Sequence, residues 1–469
     1  MNNTLFTTRR LFLSGAAALA AWPTNLLGQD AHPAERTSAW ENPDGTATDT
    51  VLARRLYLDL AGRIPTKWEA QVYAESSDPN KRAALVDKLL ASTDFADYWA
   101  MRFCDILRVK SEFPINLWPN AVYVYHARIR AFVAQNEPWD RFGRALLTAQ
   151  GSDFRDAEAN FFRATDKRDP NGWAEATAQT FLGIPPEKLD ASRRTALARF
   201  FTNVRIKDTR EWKEEIVYVE GSDLRAQLCD LLFQTQRAEV AAAFQARIHA
   251  WIFGPQAAAA KPTGELRLKT LLRQIVLSPA YARGSVTGGF PARRLDAEVL
   301  DDALCTLCGD VRNFQSPAPE PFTFLPGKRN TVCIEDGSIS NAFLALFGRP
   351  TRDTGLPEER NTAVTTKQRL YLYNSGKLHG LLSRLVGPAK ANPPDPRPFV
   401  ARVDDLYWKL LGRAPMPHER QAILRLWRQR GGMPNPNRRN KKFRPPRPFG
   451  TLLDVAWCLV NTKEFLFRV

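Results

Sequence analysis

Histidine is scarce in this chain of 469 residues, with only His32, His126, His249, His379 and His418, scattered along its length. No local pair of histidines can clamp a metal, and no His-based catalytic signature occurs. The six cysteines (Cys104, Cys229, Cys305, Cys308, Cys333 and Cys458) are too few for a disulfide scaffold. Cys305-Thr-Leu-Cys308 is their one close pair, and Gly309 follows it where covalent haem attachment would need His. Helical apolar spacing at Leu295, Val299, Ala303, Leu304 and Leu307 makes these two thiols buried side chains of a helix; a zinc site would need a second pair nearby. Ser285, Ser338 and Ser340 lack a Gly-x-Ser-x-Gly setting, and no Gly-rich phosphate loop appears. A triad assembled from distant segments stays open. No metal and no cofactor is expected. No apolar run reaches the roughly eighteen residues that span a bilayer, so the mature chain should have no transmembrane anchor.

Acidic residues are also in deficit, 50 against 66 Lys plus Arg, for a net charge of +16. An anionic partner is favoured over a basic one. With 44% hydrophobic, 25% charged and 10% aromatic residues, wholly disordered, collagen-like and multi-span membrane chains are excluded.

Residues 1–30 read as an export signal of twin-arginine type, because Thr8-Arg-Arg-Leu-Phe-Leu13 precedes a short small-residue apolar run from Leu11 to Trp22. Cleavage is expected between Ala21 and Ala31, and the protein should be periplasmic or secreted. In that oxidising compartment cysteine pairing is permitted, but its connectivity is not legible.

Apolar spacing of three and four dominates, as in Leu52, Leu56 and Leu60 or Leu268, Leu271, Leu272 and Ile275, which predicts a mainly α, multi-helix protein. Thr66-Lys-Trp-Glu69 is a capping box, and Asp78-Pro79 and Ser278-Pro279 each offer a cap followed by proline in the first turn. Ala121–Tyr125 and Glu215–Val219 are the strand candidates. Leu56-Tyr-Leu-Asp-Leu-Ala-Gly-Arg-Ile-Pro-Thr-Lys-Trp-Glu69 aligns without gaps on Leu406-Tyr-Trp-Lys-Leu-Leu-Gly-Arg-Ala-Pro-Met-Pro-His-Glu419, with seven of fourteen positions identical. The unit occurs twice: a helix ends at Gly, Pro blocks its continuation, and Glu falls in the first turn of the next. A companion pattern ends each unit, Leu89-Leu-Ala-Ser-Thr-Asp-Phe95 and Leu459-Val-Asn-Thr-Lys-Glu-Phe465, echoed by Ile275-Val-Leu-Ser-Pro-Ala-Tyr281. Each reads as helix, polar cap, aromatic-anchored helix. Gln315–Pro326 and Pro388–Pro398 are proline-rich joints or exposed loops. The expected organisation is a first helical domain at 48–220, connecting helices at 221–290, and a second helical domain at 291–469 that carries a basic loop at 428–447.

These residues resemble the tandem domains of unknown function 1549 and 1553 of exported planctomycete-type proteins, where a cytochrome-associated domain precedes a second helical domain. The first domain's resemblance rests on Arg55-Leu-Tyr-Leu-Asp-Leu-Ala-Gly-Arg-Ile-Pro-Thr66, Leu85–Ser92, Asn136-Glu-Pro-Trp-Asp-Arg-Phe142 and Leu146–Gly151. The second rests on Arg294-Leu-Asp-Ala-Glu298, Phe347-Gly-Arg-Pro-Thr-Arg352 and Leu459–Leu466. Many relatives carry Cys-x-x-Cys-His after a Phe-Leu-Gly segment. Here Phe181-Leu-Gly-Ile184 runs into Pro-Pro-Glu-Lys-Leu-Asp190, so the haem or metal role that the resemblance implies is not carried over.

Two groups of residues are candidate anion ligands. Arg349, Arg352 and Arg360 stand in a polar cluster with Asp353, Glu358, Glu359, Thr365, Gln368 and Asn374; guanidinium forks bind carboxylate, sulfate or phosphate bidentately. An internal salt-bridge network is the other reading of that cluster. Arg438, Arg439, Lys441, Lys442 and Arg444 lie in the basic loop, whose twenty residues hold eight basic side chains and no acidic one. The function expected is that of an exported binding or scaffold protein for an acidic polysaccharide, another anionic surface or a protein partner. The alternative is a hydrolase or lyase acting on polysaccharide, with acids drawn from 349–374. Export and the lack of a recognised module disfavour nucleic acid.

Overall fold

Apolar spacing of three and four is realised as helix almost throughout the computed structural model, which describes residues 40–111, 118–211, 213–255, 263–286, 289–309, 313–317, 325, 329–387, 398–429 and 448–469. The export segment, the proline-rich stretch 388–397 and the loop 430–447 lie outside the described residues. No helix among the described residues is long and apolar enough to cross a membrane.

The first repeat comprises α1 (Asp49–Ala61), α2 (Lys67–Glu75), α3 (Lys81–Leu90) and α4 (Thr93–Ile106). α1 ends at Gly62, whose φ of 62° is left-handed and whose missing Cβ leaves room for the Tyr98 ring. Thr66 and Glu69 cap α2 reciprocally, as expected. The cap at Asp78-Pro79 falls one turn early: Asp78 Oδ1 accepts from the Asn80 amide (2.8 Å), and the helix starts at Lys81.

Next come α5 (Pro119–Ala134), α6 (Trp139–Thr148), α7 (Arg237–Phe253), α8 (Leu268–Leu277), α9 (Ala297–Cys308) and α10 (Thr366–Asn374). Ala121–Tyr125 is thus helix and not strand. Pro119 opens α5 in its first turn, and Ala121, Val122, Tyr125, Ile129, Phe132 and Val133 are buried at helical spacing, which overrides a five-residue alternation. The other strand candidate forms. Antiparallel β1 (Gly151–Ser152), β2 (Val204–Asp208) and β3 (Glu215–Val219) lie in the order β1-β3-β2, with Ile206 opposite Val217. Phe132, Trp139, Phe142 and Phe244 make an aromatic centre, with centroids 4.3 Å apart for Phe132–Phe142 and 5.4 Å for Trp139–Phe244. Cys305 and Cys308 are buried on α9.

The second repeat is α11 (Phe399–Leu411), α12 (Pro417–Gln429), α13 (Pro448–Val460) and α14 (Lys463–Leu466). Gly412 repeats the left-handed turn with a φ of 72°. The two turns share one arginine device. Arg63 grips both oxygens of Glu69 (2.9 Å each) and Asp94 Oδ2 (2.7 Å); Arg413 grips Glu419 (2.7 and 2.9 Å) and Glu464 (2.7 and 2.8 Å). In each copy one guanidinium between two carboxylates thus clamps helix to helix.

The companion pattern is likewise one geometry used three times. Ser92, Thr462 and Ser278 each donate to a carbonyl three residues back (2.7 Å in every case) and accept from the amide of Phe95, Phe465 or Tyr281. The element beyond the cap differs: fourteen residues of helix after Ser92, four after Thr462, and only a turn after Ser278.

The ends of the chain meet. α11 packs against α2, and Arg54 of α1 donates to the carbonyls of Leu410 (2.9 Å) and Phe465 (3.1 Å). Arg55 donates to the last residue, Val469 (3.0 Å), while β4 (Arg293–Arg294) pairs with β5 (Phe467–Arg468). One apolar core therefore runs from Leu52 to Phe465.

Candidate functional site

Six arginines meet three carboxylates where α4, β4, α9 and the segment 349–360 converge. Asp105, at the end of α4, accepts from Arg360 Nη2 (2.7 Å) and Arg352 Nε (2.9 Å). Arg360 also reaches both oxygens of Glu298 on α9 (2.7 and 3.1 Å), and Arg349 Nε lies 3.4 Å from the same carboxylate. Asp296, just before α9, takes Arg102 of α4. Arg293 and Arg294 arrive on β4, held by the carbonyls of Trp251 (2.7 Å), Leu295 (2.9 Å), Phe347 (2.8 Å) and Asn361 (2.7 Å).

Burial alone would raise the pKa of Glu298, but Arg360 and Arg349 reverse the effect and hold it below the ordinary carboxylate range. Asp296 is lowered in the same way by Arg102 and Arg360. Burial draws the guanidinium of Arg349 down to about 10, and that of Arg293 likewise. Even so, all six arginines are cationic at neutral pH, opposite three anions. Two guanidinium nitrogens in the group, Arg294 Nε and Arg352 Nη2, are buried with no hydrogen-bond partner.

This surplus borders an open cavity of about 590 Å³, lined by Arg293, Arg294, Arg360, Phe467, the segment 361–363 and the exposed carboxylate Glu358. Of the arginines singled out in the sequence, Arg360 reaches that cavity. Arg349 and Arg352 do not line it; they turn into the interior, where Arg352 donates to the carbonyls of Val109 (3.1 Å) and Glu335 (2.8 Å). Arg352 sits at a left-handed φ of 62°, a strain for a residue with Cβ that its three directional bonds hold in place. The rest of the polar cluster has local work as well. Asp353 pairs with Lys110 (2.5 Å), Glu359 accepts from the Thr354 amide (2.5 Å), and Thr365 with Gln368 makes the capping box of α10. The contacts of this region are those of the internal ion-pair network. Arg438, Arg439, Lys441, Lys442 and Arg444 lie outside the described residues.

Arg102, Asp105 and Arg293 escaped the sequence reading. Arg102 and Asp105 are two of the four charges of α4, and only the fold reveals that both sit against charges supplied from 194 or more positions further along. Arg294, Asp296 and Glu298 were visible as Arg-x-Asp-x-Glu, a spacing that says nothing of its partners.

Fold and site together define a mainly helical protein in which buried arginines tie early helices to the second half of the chain. Residues 34–193 match PSCyt2, a protein of unknown function (DUF1549), and residues 262–427 match PSD1, a protein of unknown function (DUF1553). The chain belongs to the proteins that carry these two families in tandem. No curated protein and no solved structure matches it.

Proposed function

We propose that this protein is an exported binding or scaffold protein that takes the carboxylate or sulfate groups of an acidic polysaccharide in the cavity of Arg293, Arg294 and Arg360. The observation that carries this reading is the charge imbalance at the wall of an open cavity, where Arg293, Arg294 and Arg360 face a single carboxylate, Glu358. A guanidinium fork suits a planar or tetrahedral anion, and low-dielectric walls strengthen the attraction. The net charge of +16 and the basic residues of 428–447 would add attraction at longer range.

The test compares binding of polygalacturonate and heparin with binding of neutral dextran across a salt series. Ala363 and Glu358 are exposed at the cavity rim, so Ala363→Glu and Glu358→Gln alter its charge without touching a buried bond. The acidic polymers should bind, weaken steeply with salt, and bind at least threefold weaker to Ala363→Glu but tighter to Glu358→Gln. Equal binding of dextran, or no response to either substitution, would overturn the proposal. Shortening of the polymer during the assay would favour the hydrolase or lyase reading instead.

A further inference from the structure

A second cavity lies away from the arginine surplus, at the first Gly-Arg-x-Pro turn. It encloses about 450 Å³, within the ~300–1,000 Å³ of small-ligand clefts. Its apolar wall is made by Ala61, Ile64, Pro65, Ala303, Leu307 and Val332. Three carboxylates, Asp94, Asp97 and Asp302, share the lining with three cations, Arg63, Lys67 and Lys409.

These charges are matched in number and already engaged. Arg63 holds Asp94 (2.7 Å), Arg130 holds Asp97, and the Thr331 and Val332 amides donate to Asp302 (2.6 and 3.0 Å). Lys67 and Lys409 straddle the two oxygens of Asp405 at 3.0 Å each. Burial, with Asp97 and Asp302 nearby, pushes the Cys333 thiol up to about 12, so it adds no charge. Each lining charge is thus engaged within the protein, and none is left over for an ionic ligand to balance. The cleft offers closely spaced donors and acceptors instead, because Thr66, Thr306 and the amide of Asn330 join the engaged carboxylates and ammonium groups around the apolar wall.

Trp68 supplies a second, independent observation. It follows the lining residues Thr66 and Lys67 directly in the chain, yet it is 68% exposed, the most exposed large apolar side chain among the described residues. An indole pairs a flat apolar face with one N–H donor, and leaving it in water forgoes burial that the fold provides for Trp99 and Trp139.

From this juxtaposition we infer that the cleft at Gly62–Lys67 binds uncharged sugar rings. A pyranose has the same composition as the cleft, hydroxyl donors and acceptors around an apolar C–H face, and it carries no charge to be matched. Trp68 does not itself line the cleft; next to Lys67 in the chain, its exposed indole would take a neighbouring ring of the same oligosaccharide.

The inference is independent of the arginine cavity and is tested apart from it. Cellohexaose, laminarihexaose and mannohexaose are titrated into the full chain and followed by saturation-transfer NMR. At least one should bind with a dissociation constant of about 1 mM or tighter. Thr306 is exposed on α9 and lines the cleft, so Thr306→Trp blocks it without breaking a buried bond. That variant should bind at least tenfold more weakly, and Trp68→Ala at least threefold, both with unchanged circular dichroism. Ala363→Glu, at the other cavity, should bind the neutral sugar as the parent does. Failure of all three sugars to bind, or parental binding by Thr306→Trp, would overturn the inference.

Discussion

Asp59 and Arg468 are 409 positions apart in the chain and form one buried ion pair. Asp59 lies in the first repeat helix and Arg468 on the final strand. The Tyr281 hydroxyl donates to the same carboxylate at 2.8 Å, so three remote segments share one anion. Removing a single partner leaves an uncompensated buried charge, which typically costs about 3–5 kcal/mol. Arg468→Met should lower stability by that order in urea unfolding. Asp59→Asn with Arg468→Met should recover part of the loss. A cost under about 1 kcal/mol for Arg468→Met would mean that the pair does not hold the ends together.

The three hydroxyl caps give an additive series. Ser92→Ala, Ser278→Ala and Thr462→Val should each destabilise by about 1 kcal/mol, as loss of an N-cap commonly does. They belong to separate contacts, so the triple variant should show close to the sum. Chemical denaturation measures it, and a strongly sub-additive result would reveal that the caps are not independent.

His126 is buried in α5, and burial together with the cations Arg352, Arg130 and Arg329 lowers its pKa from the ordinary 6.5 to about 3. The folded state therefore binds this proton less readily than the unfolded state. The stability from keeping the ring neutral is full above pH 6.5 and is lost as pH falls from there toward 3. His126→Phe should flatten the fall of the urea midpoint between pH 6.5 and 4. A parallel fall in both proteins would show that other groups dominate.

Arg438, Arg439, Lys441, Lys442 and Arg444 sit in a terminal region, residues 390–469, where 17 Lys plus Arg face 6 Asp plus Glu. Changing all five to Ser should shallow the salt dependence of retention on heparin. Identical elution of the variant and its parent would rule out a contribution of this segment to polyanion affinity.

Export is tested at Arg9 and Arg10. Replacing both by Lys should leave precursor in the cytoplasm, because the twin-arginine route reads the paired arginines themselves. Normal export of that variant would remove the route assignment.

Much of the architecture was legible from short-range rules. Gly62 and Gly412, Pro65 and Pro415, and Glu69 and Glu419 identify the repeated turn because each residue acts within a few positions of its neighbours. The strand at Glu215–Val219 was legible for the same reason, whereas Ala121–Tyr125 misled because five residues are too few to separate two periodicities once Pro119 starts a helix. Of the site, Arg360 was in view, but its contact with Asp105 crosses 255 positions and leaves no local trace.

The sequence by itself determined the helices, their caps, the duplicated turn and the cationic surplus, since these depend on neighbouring residues or on simple sums of charge. Only the tertiary structure decided which arginines are sealed against carboxylates and which border a cavity. It also decided that α1 would be fastened to the last residues of the chain. A buried charge must find its partner wherever packing brings one, and that choice is made by the whole core.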